Sequence, residues 1–593
     1  MTGDARSGTA EVRGEFGVAA STHPLATECA VAVLEAGGNA FDAAVAAGFV
    51  LQVAEPDKCG PGGDVTMVCW SARDERAVSV CGQGVAPRAA TIARYHDEGL
   101  DVVPGTGLLA AVVPGVFDAW MHVLARWGTR SVAEVLAPAI AHARAGIPAS
   151  QPLVATVRMV EELFAAHWPT SAALWLRGGA APAVGEVVRL PGVAPTYERI
   201  VAEAQAAGPA REAQIDAARR AWSEGFVAEA IAAFSQKTAW LDTSGSPHTG
   251  LLDGEDLATW ESTIEEPAVL DFGRYRVCKT GRWGQGPVFL QQLALLDALG
   301  IEAAPYGSAE YVHTIVEASK LAFADREAWY GDAEPDPALL GALLDPSYTR
   351  ARAALVGERA DEGFRPGEPV GRVPHLPAAA RVFAETQGGA SEGEAPRRPE
   401  GDTSHVDVAD RFGNLVSATP SGGWLHSSPT IPDLGFCLTN RAQMFWLEPG
   451  LASSLVPRTR PRTTLSPSLA FRDGEPWLAF GTPGGDQQDQ WSLAFFLAVV
   501  LGGLDLQEAV DAPAYQSEHF PSSFHPRDAH PNRLFVESRL PEDVVADLRR
   551  RGHDARPIGA WTLGRLSAVA REPDGTLRAA ADARRSHGAA AGR

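Results

Sequence analysis

Hydrophobic and small residues recur at helical spacing over residues 25–53, and this pattern is interrupted once, by Gly37-Gly38-Asn39. Glycine commonly ends a helix, and asparagine commonly caps the next one. The pattern therefore predicts two consecutive helices. The second, from Phe41 to Ala54, is apolar enough to be buried, but it carries Asp42 and is too short to cross a bilayer.

Helical and strand-like patterns divide the rest of the chain unevenly. Helical spacing dominates residues 116–234 and returns at 288–299 and 310–330. Short strand-like runs occur at residues 65–70, 77–81, 275–279, 406–419, 434–439, 467–472 and 476–481. Residues 385–402 are rich in Gly, Glu and Pro without periodicity, which indicates a linker. Long helices followed by strand pairs predict a layered α/β sandwich that shares one core.

Composition and charge argue against several kinds of partner. The 593 residues carry 51 Lys and Arg against 73 Asp and Glu, a formal net charge of −22. The basic footprint that binds nucleic acid or an anionic membrane is therefore missing. The first residues lack the apolar core of a signal peptide, and the six cysteines form no C-x-x-C pair. We expect a cytoplasmic protein with reduced thiols and neither a zinc site nor a disulfide framework.

The candidate chemistry lies where the linker meets a strand, at Asp402-Thr403-Ser404-His405. Self-cleaving hydrolases with an N-terminal nucleophile keep that residue at such a place. If the chain cuts itself before Thr403, this residue gains an α-amino group beside its own hydroxyl. The amine has an unperturbed pKa of about 7.7–8.0, so one residue can supply both nucleophile and general base. The alternative is an ordinary threonine at the start of a strand.

A series of motifs in a fixed order gives this threonine a context. They lie at residues 37–44, 55–56, 60–63, 113–115, 136–140, 320–326, 403–405, 410–414, 416–417, 460–467 and 481–485. In these motifs the chain resembles the γ-glutamyltranspeptidase family of N-terminal-nucleophile hydrolases, from about residue 17 to residue 588. The resemblance implies a four-layer αββα sandwich, a small-molecule substrate, and catalysis without a metal or another cofactor.

The resemblance also implies how the enzyme is activated. Thr403 is then the nucleophile, exposed when the chain cleaves its own Asp402–Thr403 bond. Fragments 1–402 and 403–593 would stay together as two subunits of one shared domain. Further dimerisation of this pair is left open.

Other matched positions correspond to the family's catalytic apparatus. Ser421 stands where a second hydroxyl hydrogen-bonds the nucleophile. Gly484 and Gly485 match the pair whose N–H groups form the oxyanion hole, where a lost donor costs about 2.7–4 kcal/mol of barrier. Thr463 and Thr464 replace two serines that hold the carboxylate of the acyl group, and they keep the hydroxyls.

The substrate-binding positions depart from the family pattern. The family arginine that holds the α-carboxylate is Gln83, and the family aspartate that holds the α-ammonium is Met444. Gly423 replaces an asparagine, and a neutral polar position has become Arg441. Each lost charged hydrogen bond is worth roughly 1.5–3 kcal/mol, and about 1.4 kcal/mol is a factor of ten in affinity. We therefore expect glutathione to be a poor substrate.

Two arginines favour a new acyl group that is still anionic. They are Arg441 and Arg282, the latter in segment 280–286, which differs from the family pattern; Arg282 and Trp283 could instead stack on each other. The block at 484–491 resembles relatives from actinobacterial pathways to 4-alkylproline natural products, which cleave a carbon–carbon bond beside a carbonyl. Two alternatives remain: a conventional γ-glutamyl hydrolase or transpeptidase, and an unprocessed pseudo-enzyme or binding subunit.

Two histidines near the threonine have no assigned role in this scheme. His405 is more consistent with packing or hydrogen bonding than with a catalytic triad, because the α-amine already supplies a base. His426 either lines the pocket or sits in solvent, and both possibilities are open.

Overall fold

The computed structural model describes residues 10–333, 336–385, 402–582 and 588–593. Its strands are β1 Val12–Gly14, β2 Gly17–Ser21, β3 Asp64–Ser71, β4 Arg76–Cys81, β5 Ile147–Pro148, β6 Val187–Val188, β7 Trp240–Leu241, β8 Pro247–His248, β9 Thr263–Glu265, β10 Ala268–Phe272, β11 Tyr275–Lys279, β12 Val406–Asp410, β13 Leu415–Ser421, β14 Ser468–Arg472, β15 Glu475–Gly481, β16 Tyr515–Ser517, β17 Arg533–Glu537, β18 Asp554–Ile558, β19 Ser567–Arg571, β20 Leu577–Ala581 and β21 Ala589–Gly592.

The α-helices are distributed along the whole described chain, and several begin at a well-defined N-cap. They are α1 Pro24–Glu35, α2 Ala40–Ala54, α3 Ile92–Asp97, α4 Val116–Trp127, α5 Val132–Ala145, α6 Gln151–Met159, α7 Glu161–His167, α8 Pro169–Trp175, α9 Val193–Ala206, α10 Arg211–Ser223, α11 Phe226–Lys237, α12 Gly254–Ala258, α13 Gly286–Ala298, α14 Ala309–Trp329, α15 Pro337–Leu343, α16 Pro346–Ala353, α17 Ala378–Glu385, α18 Gln488–Val500, α19 Leu506–Asp511 and α20 Glu542–Arg550.

Two seven-stranded antiparallel sheets form the centre of the fold. Their strand orders are β1-β20-β19-β15-β14-β11-β10 and β21-β2-β12-β13-β3-β4-β9. Between them lies a layer of apolar side chains, with Val68 and Leu415 of the second sheet in the same cluster as Leu469 and Val569 of the first. Helices α1, α2, α4 and α5 cover the outer face of the second sheet, and α13, α14 and α18 cover that of the first. The predicted four-layer αββα sandwich is confirmed.

The helix–cap–helix pattern near the N-terminus is also confirmed. The Asn39 side chain accepts hydrogen bonds from the N–H groups of Phe41 and Asp42, and the Asp42 carboxylate accepts one from the N–H of Asn39. This reciprocal capping box starts α2, all of whose residues are buried. The described part of the chain contains no helix that is both long and apolar enough to cross a membrane.

Three predicted features differ from the structure or lie outside it. The strand predicted at residues 434–439 is wrong, because a tight turn with Gly435 at φ 76° replaces regular pairing and leaves isolated bridges. The helical stretch at residues 116–234 is divided into eight helices, α4 to α11, the last of which continues to Lys237. Most of the predicted linker, residues 386–401, lies outside the described residues.

Both seven-stranded sheets combine strands from the two sides of the 402/403 bond. In the second sheet, β12 pairs with β2 and β13 pairs with β3, so segments before and after this bond lie side by side. In the first sheet, β11 pairs with β14 and β1 pairs with β20. Neither part of the chain therefore contains a complete seven-stranded sheet of its own. All six cysteines are buried and unpaired.

Candidate active site

The β12–β13 hairpin brings Thr403 and Ser421 together at the end of two central strands. The two residues pair through an isolated antiparallel bridge, and Thr403 Oγ1 lies 3.2 Å from Ser421 Oγ. Both side chains are at most 1% exposed. A separation of eighteen residues along the chain is thus closed by a tight hairpin, which places two hydroxyls in hydrogen-bonding contact.

The bond before Thr403 lies within reach of both hydroxyls. Ser421 Oγ donates a hydrogen bond to the Asp402 carbonyl oxygen at 3.1 Å, and the Thr403 N–H donates to Asp402 Oδ1 at 2.9 Å. Ser421 can therefore stabilise negative charge that develops on this carbonyl oxygen during attack by Thr403 Oγ1. The arrangement is chemically suited to an N-to-O acyl shift that converts the Asp402–Thr403 amide into an ester.

Arg565 fixes the residue on the other side of this bond, and sequence reasoning missed it. Its guanidinium contacts both carboxylate oxygens of Asp402, with Nη1 at 2.7 Å from Oδ2. Although burial opposes ionisation, Arg565 and Lys58 outweigh it and hold the pKa of Asp402 below its usual value. Arg565 precedes β19, 163 residues beyond Asp402, and no local motif marks it.

Removal of this clamp is expected to slow cleavage of the chain. Arg565→Met deletes two charge-assisted hydrogen bonds to Asp402 and leaves the carboxylate free to move. With about 1.5–3 kcal/mol for such contacts, the rate should fall roughly 10- to 150-fold, measured as the appearance of two fragments from freshly purified precursor.

A matched control for this variant is Arg556→Met, because Arg556 also pairs with an aspartate, Asp554 at 2.8 Å, but on an exposed strand. Its cleavage rate should equal that of the wild type. A wild-type rate in Arg565→Met would show that the clamp does not position the bond.

The Glu55-Pro56 motif contributes a buried anion that contacts Ser404, the residue after the candidate nucleophile. Glu55 Oε2 accepts hydrogen bonds from Ser404 Oγ at 2.8 Å and Thr22 Oγ1 at 2.5 Å, and its other oxygen pairs with Lys58. Burial raises the pKa of Glu55, but Lys58 outweighs this and lowers it to about 2. The carboxylate is therefore ionised at neutral pH and holds the Ser404 side chain directly after Thr403.

The candidate oxyanion glycines lie in a turn between β15 and α18. Gly484 and Gly485 have φ of 131° and 55°, and a Cβ on Gly484 would lie 2.3 Å from the Trp491 ring. Glycine is therefore required by both backbone conformation and space. The first N–H groups of a helical segment have no partner within it and favour negative charge. Thr482 Oγ1 accepts from the N–H of Arg565 at 3.2 Å, which ties this turn to the Asp402 clamp.

Met444 lies in an apolar environment, unlike the charged residue expected in a γ-glutamyl enzyme. It forms a buried cluster with Trp424 and Phe524. Gln83 is also buried, and its Oε1 atom has no hydrogen-bond partner among the described residues. Gly423 has φ 59°, and a Cβ there would meet the Gly63 nitrogen at 2.8 Å. These positions offer shape and neutral polar groups instead of charge.

Arg441 does not present a free positive charge, which corrects the sequence-based expectation. Its Nε lies 2.7 Å from Asp64 Oδ2 and its Nη2 lies 3.2 Å from Asp64 Oδ1, and both side chains are buried. The guanidinium also lies 5.1 Å from the centre of the Trp424 ring. Because Asp64 neutralises it, Arg441 gives no net charge for holding an anion. Its Nη1 has no partner among the described residues and remains a candidate donor.

The structure brings Thr463 beside the atypical 280–286 segment, through a bridge between Thr463 and Gly284. Thr463 Oγ1 accepts from the Leu465 N–H at 3.3 Å, whereas Thr464 Oγ1 has no partner among the described residues. Arg282 Nη1 donates to two main-chain carbonyls, at 3.2 Å and 3.1 Å, next to the end of α14. These bonds give Arg282 a structural role, and its contact with substrate stays a prediction.

Trp283, the aromatic residue after Arg282, contacts Arg460 and Glu265. The Trp283 ring lies 5.0 Å from the Arg460 guanidinium, and its Nε1 donates to Glu265 at 2.9 Å. Arg460 in turn pairs with Asp332. The segment is therefore cross-linked to the 460–464 stretch that carries the candidate threonines.

Both histidines near the site are buried, with different surroundings. His405 contacts Thr419 Oγ1 at 2.8 Å and Asp407 Oδ1 at 3.0 Å, so both ring nitrogens serve the β12–β13 hairpin. This arrangement supports the packing interpretation. His426 stacks on Trp424 with ring centres 5.5 Å apart, which excludes the solvent-exposed alternative. Burial lowers the pKa of His426 to about 4, so it is neutral at physiological pH.

One group of described residues carries metal-type ligands, away from the hairpin. Ligand atoms of His313, Glu317 and His553 lie within 4.8 Å of one another. However, His313 Nδ1 and His553 Nε2 are 2.8 Å apart, a hydrogen bond, and Lys320 Nζ pairs with Glu317 at 2.5 Å. The lysine already balances the carboxylate that a metal would need, and the group is better explained as a polar contact between α14 and the loop after α20.

The fold and the hairpin site define an N-terminal-nucleophile hydrolase, a class built on an αββα sandwich with a nucleophile at the start of a central strand. The chain belongs to the gamma-glutamyltranspeptidase family, whose model matches residues 26–592.

Curated relatives match almost the entire chain. It is 29% identical over 591 residues to the glutathione hydrolase proenzyme of Bacillus subtilis (strain 168), covering 98% of this chain and 92% of that protein. It is 31% identical over 584 residues to the acylase ACY 1 proenzyme of Pseudomonas sp. (strain SE83), covering 96% and 92%. A solved structure of LmbA2991HD is 51% identical with a TM-score of 0.93, and 99% of each chain is covered.

Proposed function

We propose that the protein is a self-processing hydrolase that uses Thr403 as an N-terminal nucleophile on a small acyl substrate other than a γ-glutamyl compound. The buried position of Met444 among Trp424 and Phe524 carries this proposal, because an α-ammonium group placed there would lose its hydration without gaining a counter-charge. The Asp64–Arg441 pair adds no net charge. The acyl group that suits this site is neutral and largely apolar. Because Asp64 pairs with Arg441, this arginine no longer supports the expectation of an anionic acyl group.

The proposed reaction has two steps after activation. The α-amine of Thr403 accepts the hydroxyl proton as Oγ1 attacks the substrate carbonyl carbon, and the leaving amine takes a proton as its bond to that carbon breaks. Water then hydrolyses the threonyl ester and returns the amine to its free form. The N–H groups of Gly484 and Gly485 would hold the oxyanion in both steps.

Substrate preference tests the proposal directly. Processed enzyme is expected to hydrolyse phenylacetyl 4-nitroanilide with a kcat/KM at least tenfold above that for γ-glutamyl 4-nitroanilide. Glutaryl 4-nitroanilide keeps the carboxylate of the γ-glutamyl compound and lacks its ammonium group. Its kcat/KM therefore shows which of the two charges the site disfavours. A preference for the γ-glutamyl compound would restore the conventional hydrolase or transpeptidase. A chain that never cleaves would favour the pseudo-enzyme or binding subunit.

A second candidate reaction is cleavage of a carbon–carbon bond beside a ketone. It is favoured by the 484–491 block, which resembles the 4-alkylproline branch. Thr403 Oγ1 would attack the keto carbon, the carbon–carbon bond would break, and its electron pair would leave with the carbon fragment, which takes a proton. Water would then hydrolyse the same kind of ester. If the enzyme hydrolyses none of the anilides and cleaves a 1,3-diketone, carbon–carbon cleavage is the reaction.

A further inference from the structure

A cavity of about 280 Å³ lies behind the glycine turn and is separate from the proposed substrate site. It is formed by the start of α14, the first turns of α18, helix α19, strand β16 and the loops that precede α20 and β19. None of the positions predicted to bind substrate lines it. An apolar cavity of about 150 Å³ is large enough for benzene, so this one holds a ring with a short substituent.

The lining has no charged side chain and is mostly apolar. Three residues in it nevertheless carry hydrogen-bonding groups without a partner among the described residues: the hydroxyls of Tyr311 and Tyr515 and the indole N–H of Trp491. Their side chains are 3%, 8% and 8% exposed. Buried polar groups are normally paired, and an unpaired one carries a free-energy penalty that a ligand with an acceptor atom can relieve.

One wall of the cavity is shared with the candidate oxyanion turn. The Trp491 ring fills the space in front of Gly484, where a Cβ would lie 2.3 Å from it. The cavity lining also includes Gly564 and Leu566, the residues on either side of the Asp402 clamp Arg565. A molecule in the cavity would therefore touch Trp491, which packs against the turn, and the two residues that flank the clamp in the sequence.

We propose that this cavity is a second small-molecule site, which binds an uncharged, ring-sized molecule carrying a hydrogen-bond acceptor, such as an aryl amide or aryl ketone. A charged molecule is disfavoured because no lining residue could balance its charge. The unpaired tyrosine hydroxyls and the Trp491 N–H can donate hydrogen bonds to a carbonyl oxygen, which sets the preference for a carbonyl compound over a plain hydrocarbon. The site does not depend on the proposed reaction, and its test measures binding instead of turnover.

Calorimetric titration of the whole protein with acetanilide tests the proposal, with phenylacetate as the charged comparison. Saturable binding of acetanilide is expected, with at least tenfold weaker binding of phenylacetate. Ala494→Phe places a ring at the half-buried mouth on α18 and should abolish binding. Ala233→Phe, on the exposed face of α11, is the matched control and should bind as the wild type does.

The hydroxyl contacts are tested by removing them without changing the ring. Tyr311→Phe/Tyr515→Phe should weaken acetanilide binding about two- to tenfold and leave binding of ethylbenzene, which has no acceptor, unchanged. The Thr403→Ala chain should bind acetanilide as tightly as the processed enzyme does. No binding to the wild type, full binding to Ala494→Phe, or loss of binding in Thr403→Ala would each overturn the second site.

Discussion

Thr403→Ala is expected to yield a single uncut chain, whereas the wild-type protein yields fragments 1–402 and 403–593. The substitution removes the hydroxyl that lies 3.2 Å from Ser421 Oγ and that would attack the Asp402 carbonyl carbon. Since the N-to-O shift begins with this oxygen, cleavage should stop altogether. An intact mass spectrum of freshly purified protein measures both outcomes.

Thr403→Ser provides the matched control for this substitution. It keeps the hydroxyl and loses one methyl group, so it should still be cut at the same bond, at a lower rate. Cleavage of Thr403→Ala between residues 402 and 403 would assign the chemistry to another group. An uncut wild type would remove the proposed activation, and the pseudo-enzyme would then be the leading explanation.

Asp64→Asn is expected to destabilise the fold by about 3–5 kcal/mol, because it leaves the buried Arg441 guanidinium without its counter-charge. The measurement is urea unfolding in the Thr403→Ala background, where the chain remains continuous. The double variant Asp64→Asn/Arg441→Gln removes both charges and should recover most of the loss. Such recovery distinguishes an uncompensated charge from a simple packing defect.

An exposed ion pair supplies the control for this experiment. Asp271→Asn breaks the surface pair with Arg276, where both side chains are more than half exposed, and should change stability by about 0–1 kcal/mol. A similarly small effect of Asp64→Asn would mean that Arg441 does not depend on Asp64. Arg441 could then act as the free cation that the sequence alone suggested.

Much of the fold could be predicted from local pattern. The spacing around Gly37-Gly38-Asn39 encodes two helices because capping is decided by residues within one turn. Strand β11 follows directly from apolar alternation at 275–279. The strand predicted at 434–439 is wrong although apolar and polar residues alternate there, because Gly435 turns the chain. Strand pairing also depends on distant partners, which a local pattern does not contain.

The candidate site was predictable where it depends on motif order and unpredictable where it depends on long-range pairing. Thr403 and Ser421 lie on one hairpin, so their proximity follows from the strand–turn–strand pattern. Asp64 and Arg441 are 377 residues apart, and Asp402 and Arg565 are 163 apart. A single sequence gives no signal for such pairs. The sequence therefore predicts an unbalanced charge at Arg441 and gives no indication of the role of Arg565.

Because both seven-stranded sheets combine strands from the two sides of the 402/403 bond, the proposed cleavage would have a consequence for the lifetime of the protein. Before cleavage, an unfolded molecule refolds as one chain. After cleavage, the two fragments must find each other in solution, and each of them exposes incomplete sheets while it is apart. Unfolding then becomes effectively irreversible at low concentration. The working life of the mature protein is therefore governed by its unfolding rate, a kinetic property, and no longer by its equilibrium free energy of unfolding.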